Sequence, residues 1–344
     1  AILLFSANLI IAFNKAPILY EYNAKYEIYD RLYTSDSLSL IRENAWLNIY
    51  NAENDIRQPL FALFASPFVA PFYAISAPFS NVSKLAIPLA IGISQIVILI
   101  IGANILSHII GEHTKNRIGF FILFLSLYST ILFSFMLEQY VTAFFWLMIL
   151  IYGCIKNIGK RSFYYIGSAG SLTTSVVWFP MLYSRKDRIY TKIKKVVETA
   201  FYGLSILILS GRIDVILTLT SKMRQLTRYT GVKLTMLDKL KQYSHFIADG
   251  FIPPDAGMTE DAWKLLPVTT ISFVGVVLLV LCFISFIINR KKPIAKISFL
   301  WVLFSSIILC VIGWGTQENG LTLYALYFIW AFLVLLFMLV KQIL

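Results

Sequence analysis

Long apolar stretches alternate with short polar ones from end to end of the chain. Each crosses, or nearly crosses, the roughly 30 Å hydrocarbon core of a bilayer if it is helical. These stretches are 85–110, 118–137, 141–155, 268–288, 297–314 and 321–340. A membrane-spanning barrel would show shorter segments of alternating polarity, so the pattern favours helices that satisfy their own backbone hydrogen bonds in lipid. We therefore predict an all-α, polytopic transmembrane protein.

Two apolar stretches are interrupted. The stretch 59–79 contains prolines at 59, 67, 71 and 78, and interior prolines remove hydrogen bonds and kink helices. It is therefore predicted to be a broken or half-buried pair of helices and not a clean crossing. The stretch 163–183 is short and has basic residues on both sides. A re-entrant pair of half-helices would keep both flanks on one side of the membrane.

The remaining segments complete the predicted arrangement. A first span covers 1–13, and a further crossing covers 199–215. Apolar residues at helical spacing in 35–50 predict an amphipathic helix at the membrane surface, capped by Ser35 or Thr34. The segment 217–267 is long, mixed in polarity and predicted to be external. No internal repeat is visible, and 1–344 is predicted to be one transmembrane domain.

Charge sets the orientation. The chain is 58% hydrophobic and 14% charged, with a net charge of +12, and its Lys and Arg residues lie mainly in short loops between spans. This distribution follows the positive-inside rule and does not indicate nucleic acid. Lys115 and Lys160 mark cytoplasmic loops, so the loop at Glu138 between them is external. The loop 14–84, with its juxtamembrane helices, and the segment 217–267 are predicted on the same external side.

The candidate chemistry lies in these external loops, where carboxylates come from widely separated segments. Asp36 could act as a general base on an attacking hydroxyl, or could simply cap the surface helix. Asp55 and Arg57 lie immediately before Pro59, where the apolar stretch 59–79 begins. The planar guanidinium of Arg57 suits a phosphate group, although a snorkelling arginine at a helix start has the same pattern.

Two further acids lie on this face. Glu138 could position a sugar hydroxyl or hold a metal, but alone it is more typical of a hairpin tip in water. Glu318 stands above an aromatic stretch with Tyr324 and Tyr327, which suits a lipid chain or a stacked sugar and equally suits ordinary span packing. No His/Cys spacing indicates zinc, so no metal ligand is assigned, and no phosphate-binding loop or dinucleotide fingerprint is present.

These motifs together resemble the GT-C glycosyltransferases, multi-span enzymes that take sugar from a polyprenyl-phosphate carrier. The resemblance is carried by an Asp in the first external loop, the Asp-x-Arg-Gln-Pro-Leu entry at 55–60, the second acid at Glu138, and a Glu-Asn pattern followed by tyrosines at 318–328. It is most similar to a bacterial branch near the dolichyl-phosphate-mannose and arabinose transferase families. Gln58 stands where many relatives have His.

The resemblance implies an inverting transfer on the outer face of the bacterial cytoplasmic membrane, from a polyprenyl-phosphate sugar to a lipid-linked or cell-envelope acceptor. Asp36 would be the general base, and Arg57, together with Arg224 or Arg228, would neutralise the departing lipid phosphate. Gln58 would be a further substrate-binding residue. Glu138 and Asp55 would orient the acceptor or the sugar, or hold a divalent cation, the one cofactor considered. Glu318, Tyr324 and Tyr327 would seat the carrier among membrane lipids.

Two other functions fit the same sequence. A transporter or flippase for lipid-linked saccharides is compatible with the broken stretch 163–183. A non-catalytic membrane assembly subunit would tolerate replacement of Asp36 and Glu138 by alanine. The clustering of acids in loops on one face favours the enzyme.

Overall fold

The structure is a computed structural model that describes residues 40–41, 44–50, 56–79, 86–111, 113–183, 187–258, 263–316 and 321–343, with the backbone alone at 223, 225, 226, 228 and 343. Within these residues the chain is almost entirely helical, as the apolar pattern predicts. The α-helices are α1 (Phe61–Ser76), α2 (Ala86–Ile110), α3 (Thr114–Leu125), α4 (Tyr128–Phe135), α5 (Tyr140–Lys156), α6 (Arg161–Ser171), α7 (Ile189–Leu209), α8 (Asp214–Leu217), α9 (Leu219–Leu226), α10 (Met236–Asp249), α11 (Phe273–Asn289), α12 (Pro293–Ser305) and α13 (Ala325–Ile343).

Shorter elements join these helices. Turns of 3₁₀-helix lie at Ala77–Phe79, Thr173–Leu182, Thr227–Tyr229 and Leu321–Tyr324, and a π-helix at Ser306–Ile312 continues α12. Strands β1 (Ala256–Met258) and β2 (Trp263–Leu265) pair antiparallel in a small hairpin. This hairpin lies inside the predicted external segment 217–267, and an isolated antiparallel bridge joins Thr230 to Trp314. These are departures from the predicted all-helical chain.

Four helical segments of the described residues are long and apolar enough to cross a membrane: Phe61–Phe79, Ala86–Ile110, Pro293–Ile312 and Leu321–Gln342. Helices α3 and α4 would together make a fifth, although the chain bends by 63° between them. The shorter apolar helices include α5 and α11, which the sequence also predicts as spans. The protein is thus a polytopic helical protein with the lengths and composition that a membrane requires.

The prediction of a broken pair of helices at 59–79 is wrong. Helix α1 runs without a break through Pro67 and Pro71. Pro67 cannot donate to the carbonyl of Leu63, but the Ser66 hydroxyl donates to that oxygen at 3.3 Å. A neighbouring side chain thus satisfies the backbone acceptor that the proline leaves, which is how apolar helices accommodate proline in lipid.

The prediction of one continuous span at 118–137 is also wrong, because the helix breaks between α3 and α4. Leu127 has an extended backbone (ψ 140°). The first N–H groups of α4 instead find carbonyls elsewhere in the chain: Tyr128 donates to Phe251 at 3.4 Å, and Ser129 donates to Gly250 at 3.2 Å. The break therefore gives partners to donors that a helix start would otherwise leave unsatisfied.

The predicted break within 163–183 is confirmed. Helix α6 ends at Ser171, and Leu172 is extended (φ −155°, ψ 115°) before the 3₁₀-helix begins. The Ser168 hydroxyl donates to that of Ser175 at 2.9 Å across the break. The two parts are therefore held to each other by a buried polar contact.

Two helix boundaries differ from the prediction. A helix, α7, lies at the crossing predicted at 199–215, but it begins at Ile189 inside the basic stretch and is not among the described helices that are apolar enough to cross a membrane. It ends at Leu209, and Gly211 then turns the chain with φ +73°. The surface helix predicted to reach residue 50 has already ended at Asn44, whose φ is +55°. Trp46, on the predicted apolar face, is nevertheless fully buried.

The chain forms two compact units, and the single-domain organisation stays a prediction. The described parts of 38–106 and 137–225 form the first unit, and those of 107–136 and 226–344 form the second. In the first, Phe64, Trp146 and Phe163 pack edge to face with ring centroids 5.0 to 6.0 Å apart. In the second, α13 packs against α11 and α12, with Trp301 wholly buried at its centre.

Candidate functional site

Glu138 lies inside the first unit and not at a water-exposed hairpin tip, so that interpretation of the sequence is wrong. Its residue is 4% exposed. Gln95 of α2 donates from Nε2 to the Glu138 backbone carbonyl at 2.6 Å. Gln95 stands about 14 Å along the helix axis from the first residue of α2, at 1.5 Å per residue. A carboxylate is therefore held beside the interior of an apolar helix, where ionisable groups are costly unless they serve a function.

Three neutral polar residues with unpartnered atoms lie near Glu138, two of them close in sequence and the third hydrogen-bonded to its backbone. Gln95, Gln139 and Thr142 are all buried. Their Oε1, Nε2 and Oγ1 atoms, respectively, have no hydrogen-bond partner among the described residues. Buried polar atoms are ordinarily satisfied in native proteins. Donors and acceptors of this kind beside a carboxylate are suited to a hydroxyl-bearing ligand, which can offer both.

The segment 56–58 is fixed to the break after α6. The Thr173 N–H donates to the Arg57 carbonyl at 2.8 Å, and its hydroxyl contacts the carbonyl oxygens of Ile56 and Arg57 at 2.5 and 2.9 Å. The Leu60 N–H donates to the Gly170 carbonyl at 2.9 Å. The break in α6 thus supplies the groups that position the Arg57 backbone, while the Arg57 side chain is half-buried and Gln58 is buried.

This segment and Glu138 belong to the same end of the first unit. Helices α5 and α6 are antiparallel: Gly153 faces the ring of Tyr164, and Gly167 faces the ring of Trp146, each close enough that an added Cβ would come within 2.7 Å. The end of α6, which holds 56–58, therefore lies toward the start of α5, which follows Glu138. Their placement on one face of the membrane stays a prediction.

The other predicted site residues are distributed as follows. Arg224 is exposed on α9, and only the backbone of Arg228 is described. Asp36, Asp55 and Glu318 lie outside the described residues, and the roles assigned to them stay predictions.

The two tyrosines are in the second unit. The Tyr324 hydroxyl accepts a hydrogen bond from Trp314 Nε1 at 2.8 Å. Tyr327 is wholly buried, and its backbone carbonyl accepts from Trp301 Nε1 at 2.9 Å. Helix packing accounts for both positions, and carrier binding by these residues stays a prediction.

A polar cavity of about 180 Å³ in the second unit is not among the sites predicted from the sequence. Gln242, His245 and Asp249 of α10 line it, together with Asp255. Burial, reinforced by the Asp255 carboxylate, raises the pKa of Asp249 to about 7. One signal was present: His245 and Asp249 are four residues apart, so they share a helix face.

Metal binding has no support from these side chains. Within the described ranges, no three His, Cys, Asp or Glu residues are grouped so that they could hold a metal ion. Comparisons with protein-family models, with curated proteins and with solved structures find no match to this chain.

Proposed function

We propose that this protein is a membrane glycosyltransferase that moves a sugar from a polyprenyl-phosphate carrier to a lipid-linked or cell-envelope acceptor. The reaction takes place on the outer face of the bacterial cytoplasmic membrane. Four apolar helices of sufficient length support the membrane location. The resemblance of the loop motifs to the GT-C enzymes supports the reaction class.

The observation that carries the proposal is the buried carboxylate of Glu138 at the end of the unit that also holds the 56–58 segment. A buried acid with unused amide and hydroxyl groups nearby can orient sugar hydroxyls, and an arginine at the same end can neutralise a phosphate. An acid with no role beyond a solvated loop would stay exposed to water. An acid that binds a lipid-borne substrate is expected to be buried, because that substrate enters the site from the membrane.

The chemistry follows an inverting displacement. Asp36 removes the proton of the acceptor hydroxyl, whose oxygen attacks the anomeric carbon as the bond to the lipid phosphate breaks. The phosphate leaves with the bonding electrons, and the guanidinium of Arg57 stabilises its developing negative charge. Glu138 holds the sugar or the acceptor in line and takes no proton in this step.

The break at Leu172 favours a second candidate, a transporter of lipid-linked saccharides. Discontinuous helices at mid-membrane depth are typical of substrate sites in transporters. In this protein, however, the break is occupied by hydrogen bonds to the 56–58 backbone. This favours a structural role for the break in positioning Arg57.

An in vitro transfer assay with polyprenyl-linked sugars tests the proposal. Glu138→Gln and Asp36→Asn should each lower transfer by at least about 100-fold, the scale of lost positioning or base catalysis. Glu198→Gln, a half-buried acid on α7, is the matched control and should keep full activity. Unchanged transfer in both acid variants would overturn the proposal, and carrier translocation without transfer would support the transporter instead.

A further inference from the structure

The cavity in the second unit is built from segments that are far apart in sequence. Helix α10 forms one wall, and residues around the β-hairpin and in the segment that leads to α11 form the next. The 3₁₀-turn that precedes α13 completes it. The lining residues are Gln242, His245, Phe246, Asp249, Pro254, Asp255, 265–270, Leu321 and Thr322. Its volume of about 180 Å³ equals that of roughly six water molecules at about 30 Å³ each.

Two polar side-chain atoms on the α10 wall are buried without a hydrogen-bond partner in the described part of the chain. These atoms are His245 Nε2 and Gln242 Oε1. Residues three, four and seven apart on a helix share one face, so Gln242, His245 and Asp249 form one polar stripe along the cavity. Buried groups of this kind are normally satisfied by protein, water or ligand.

The charge of the lining excludes one class of ligand. Among the described residues, the lining contains the two carboxyl groups of Asp249 and Asp255 and the imidazole of His245, and no lysine or arginine. A phosphate would meet two acids without a compensating cation, so a phosphate-bearing headgroup is unsuited to it. Burial and the neighbouring Asp255 raise the pKa of Asp249 to about 7. Near neutral pH this carboxyl is therefore a hydrogen-bond donor in a large fraction of molecules.

The walls have both polar and apolar faces. Phe246, Pro254 and Leu321 present apolar surface, while Thr322 and the α10 stripe present donors and acceptors. Sugars have the same division, because their ring C–H groups are apolar and their hydroxyls both donate and accept. A metal ion would need several close oxygen or nitrogen ligands, and the described acids and histidines are not grouped in that way.

We propose that this cavity binds a single uncharged sugar ring, a pyranose or a furanose, with Gln242, His245 and Asp249 hydrogen-bonded to its hydroxyls. Binding needs no transfer step, so the site stands independently of the reaction proposed above. On the predicted orientation the cavity opens on the outer face, because its walls include the residues that precede α11 and begin the last span.

The experiment measures binding of free D-mannose, D-arabinose and D-glucose, with glycerol and calcium as further probes, by calorimetry on the purified full-length protein. At least one sugar should bind with a dissociation constant in the millimolar range or below. Asp249→Leu and Gln242→Leu should each weaken that binding at least tenfold. Asp249→Asn keeps a hydrogen-bond donor and an acceptor, so its dissociation constant for the sugar should stay within about threefold of the unsubstituted protein. The leucine variants lose a hydrogen bond, which is the larger effect.

Asp238→Asn is the matched control, because Asp238 is a half-exposed acid in the first turn of the same helix and does not line the cavity. It should leave sugar binding unchanged. If Asp249→Leu does not fold, Gln242→Leu still tests the site. Unchanged near-ultraviolet circular dichroism would show that each variant is folded. Absence of binding by every sugar would overturn the proposal, as would calcium binding that Asp249→Asn abolishes.

Discussion

The side-chain amide of Gln95 donates to the backbone carbonyl of Glu138 at 2.6 Å. The two residues are 43 positions apart, and the bond fastens the buried turn before α5 to an apolar helix. It fixes the backbone from which the Glu138 carboxylate projects. It also leaves the second heteroatom of the Gln95 amide buried and without a partner in the described structure.

Replacement of Gln95 tests this attachment. Gln95→Leu should lower the free energy of unfolding by about 1 kcal/mol, because it removes one hydrogen bond but also removes the unpartnered oxygen. Gln95→Glu should cost about 3 kcal/mol or more, since it loses the donor and buries a second acid. Ser94→Ala, which removes only a bond to Ile91 within the same helix, is the control. Denaturation in mixed detergent micelles gives the values, and equal effects of all three changes would contradict the attachment.

The contact between α10 and α11 predicts a severe effect at Gly275. A Cβ added there would lie 1.8 Å from the Ser244 carbonyl oxygen, which belongs to the helix backbone and cannot rotate away. Gly275→Ala should therefore destabilise the second unit by about 3 kcal/mol, at the upper end of overpacking effects. Gly203 of α7 has open space around it, and Gly203→Ala should be neutral or stabilise by up to about 1 kcal/mol through helix propensity. Thermal unfolding midpoints that fall equally in both variants would show that the close contact is not what matters.

Tyr324 is expected to matter through its hydroxyl. Because Trp314 Nε1 donates to that oxygen, Tyr324→Phe should cost about 1 kcal/mol of unfolding free energy and change the environment of Trp314. Tryptophan fluorescence measured alongside denaturation checks both effects. Tyr202→Phe, on the half-exposed face of α7, should change neither quantity. A Tyr324→Phe variant that keeps its stability but loses carrier binding would instead favour the predicted role in substrate seating.

Asp249 should make stability depend on pH. Its pKa is raised from 3.8 in the unfolded chain to about 7 in the folded protein. The stabilisation is fully present below about pH 4 and is lost progressively as the pH rises to about 7, because the unfolded carboxyl is then ionised and folding has to take up a proton or bury the charge. The loss approaches about 4 kcal/mol as an upper bound, at about 1.4 kcal/mol per pKa unit. Asp249→Asn should flatten this part of the pH profile, measured by thermal unfolding, whereas Asp238→Asn should leave it unchanged.

The sequence predicts the helices well where composition alone decides them. The spans at 85–110 and 321–340 correspond closely to α2 and to the last helix with its preceding turn, because an unbroken apolar run in lipid has no alternative to a helix. A break within 163–183 is predicted because basic residues flank the segment on both sides, and the structure has it at Leu172. These features depend on local sequence and on the membrane alone.

Tertiary hydrogen bonds explain the failures. The bend before Tyr128 is stabilised by the carbonyls of Gly250 and Phe251, which no local pattern at 118–137 can reveal. Pro67 is tolerated because the adjacent serine bonds to the carbonyl that the proline leaves. The burial of Glu138 depends in the same way on Gln95, far away in sequence.

The cavity was missed for a related reason. Its α10 stripe is visible at helical spacing, but its depth depends on residues from four separate segments. Asp249 has an unremarkable local sequence, and its pKa is raised only when the folded chain buries its carboxyl and brings Asp255 near. A single histidine and a single aspartate in an amphipathic helix are far more often surface residues than ligands, so sequence spacing alone does not distinguish them.

The way the cavity is closed also has a consequence for biosynthesis. Leu321 and Thr322 complete walls that begin some 80 residues earlier at Gln242, and chains emerge from the ribosome in order, amino terminus first. The cavity therefore cannot exist while the earlier helices are being inserted. It forms only when the last helix has left the translocon and packed against the earlier ones. Ligand binding would therefore indicate that membrane insertion of the chain is complete.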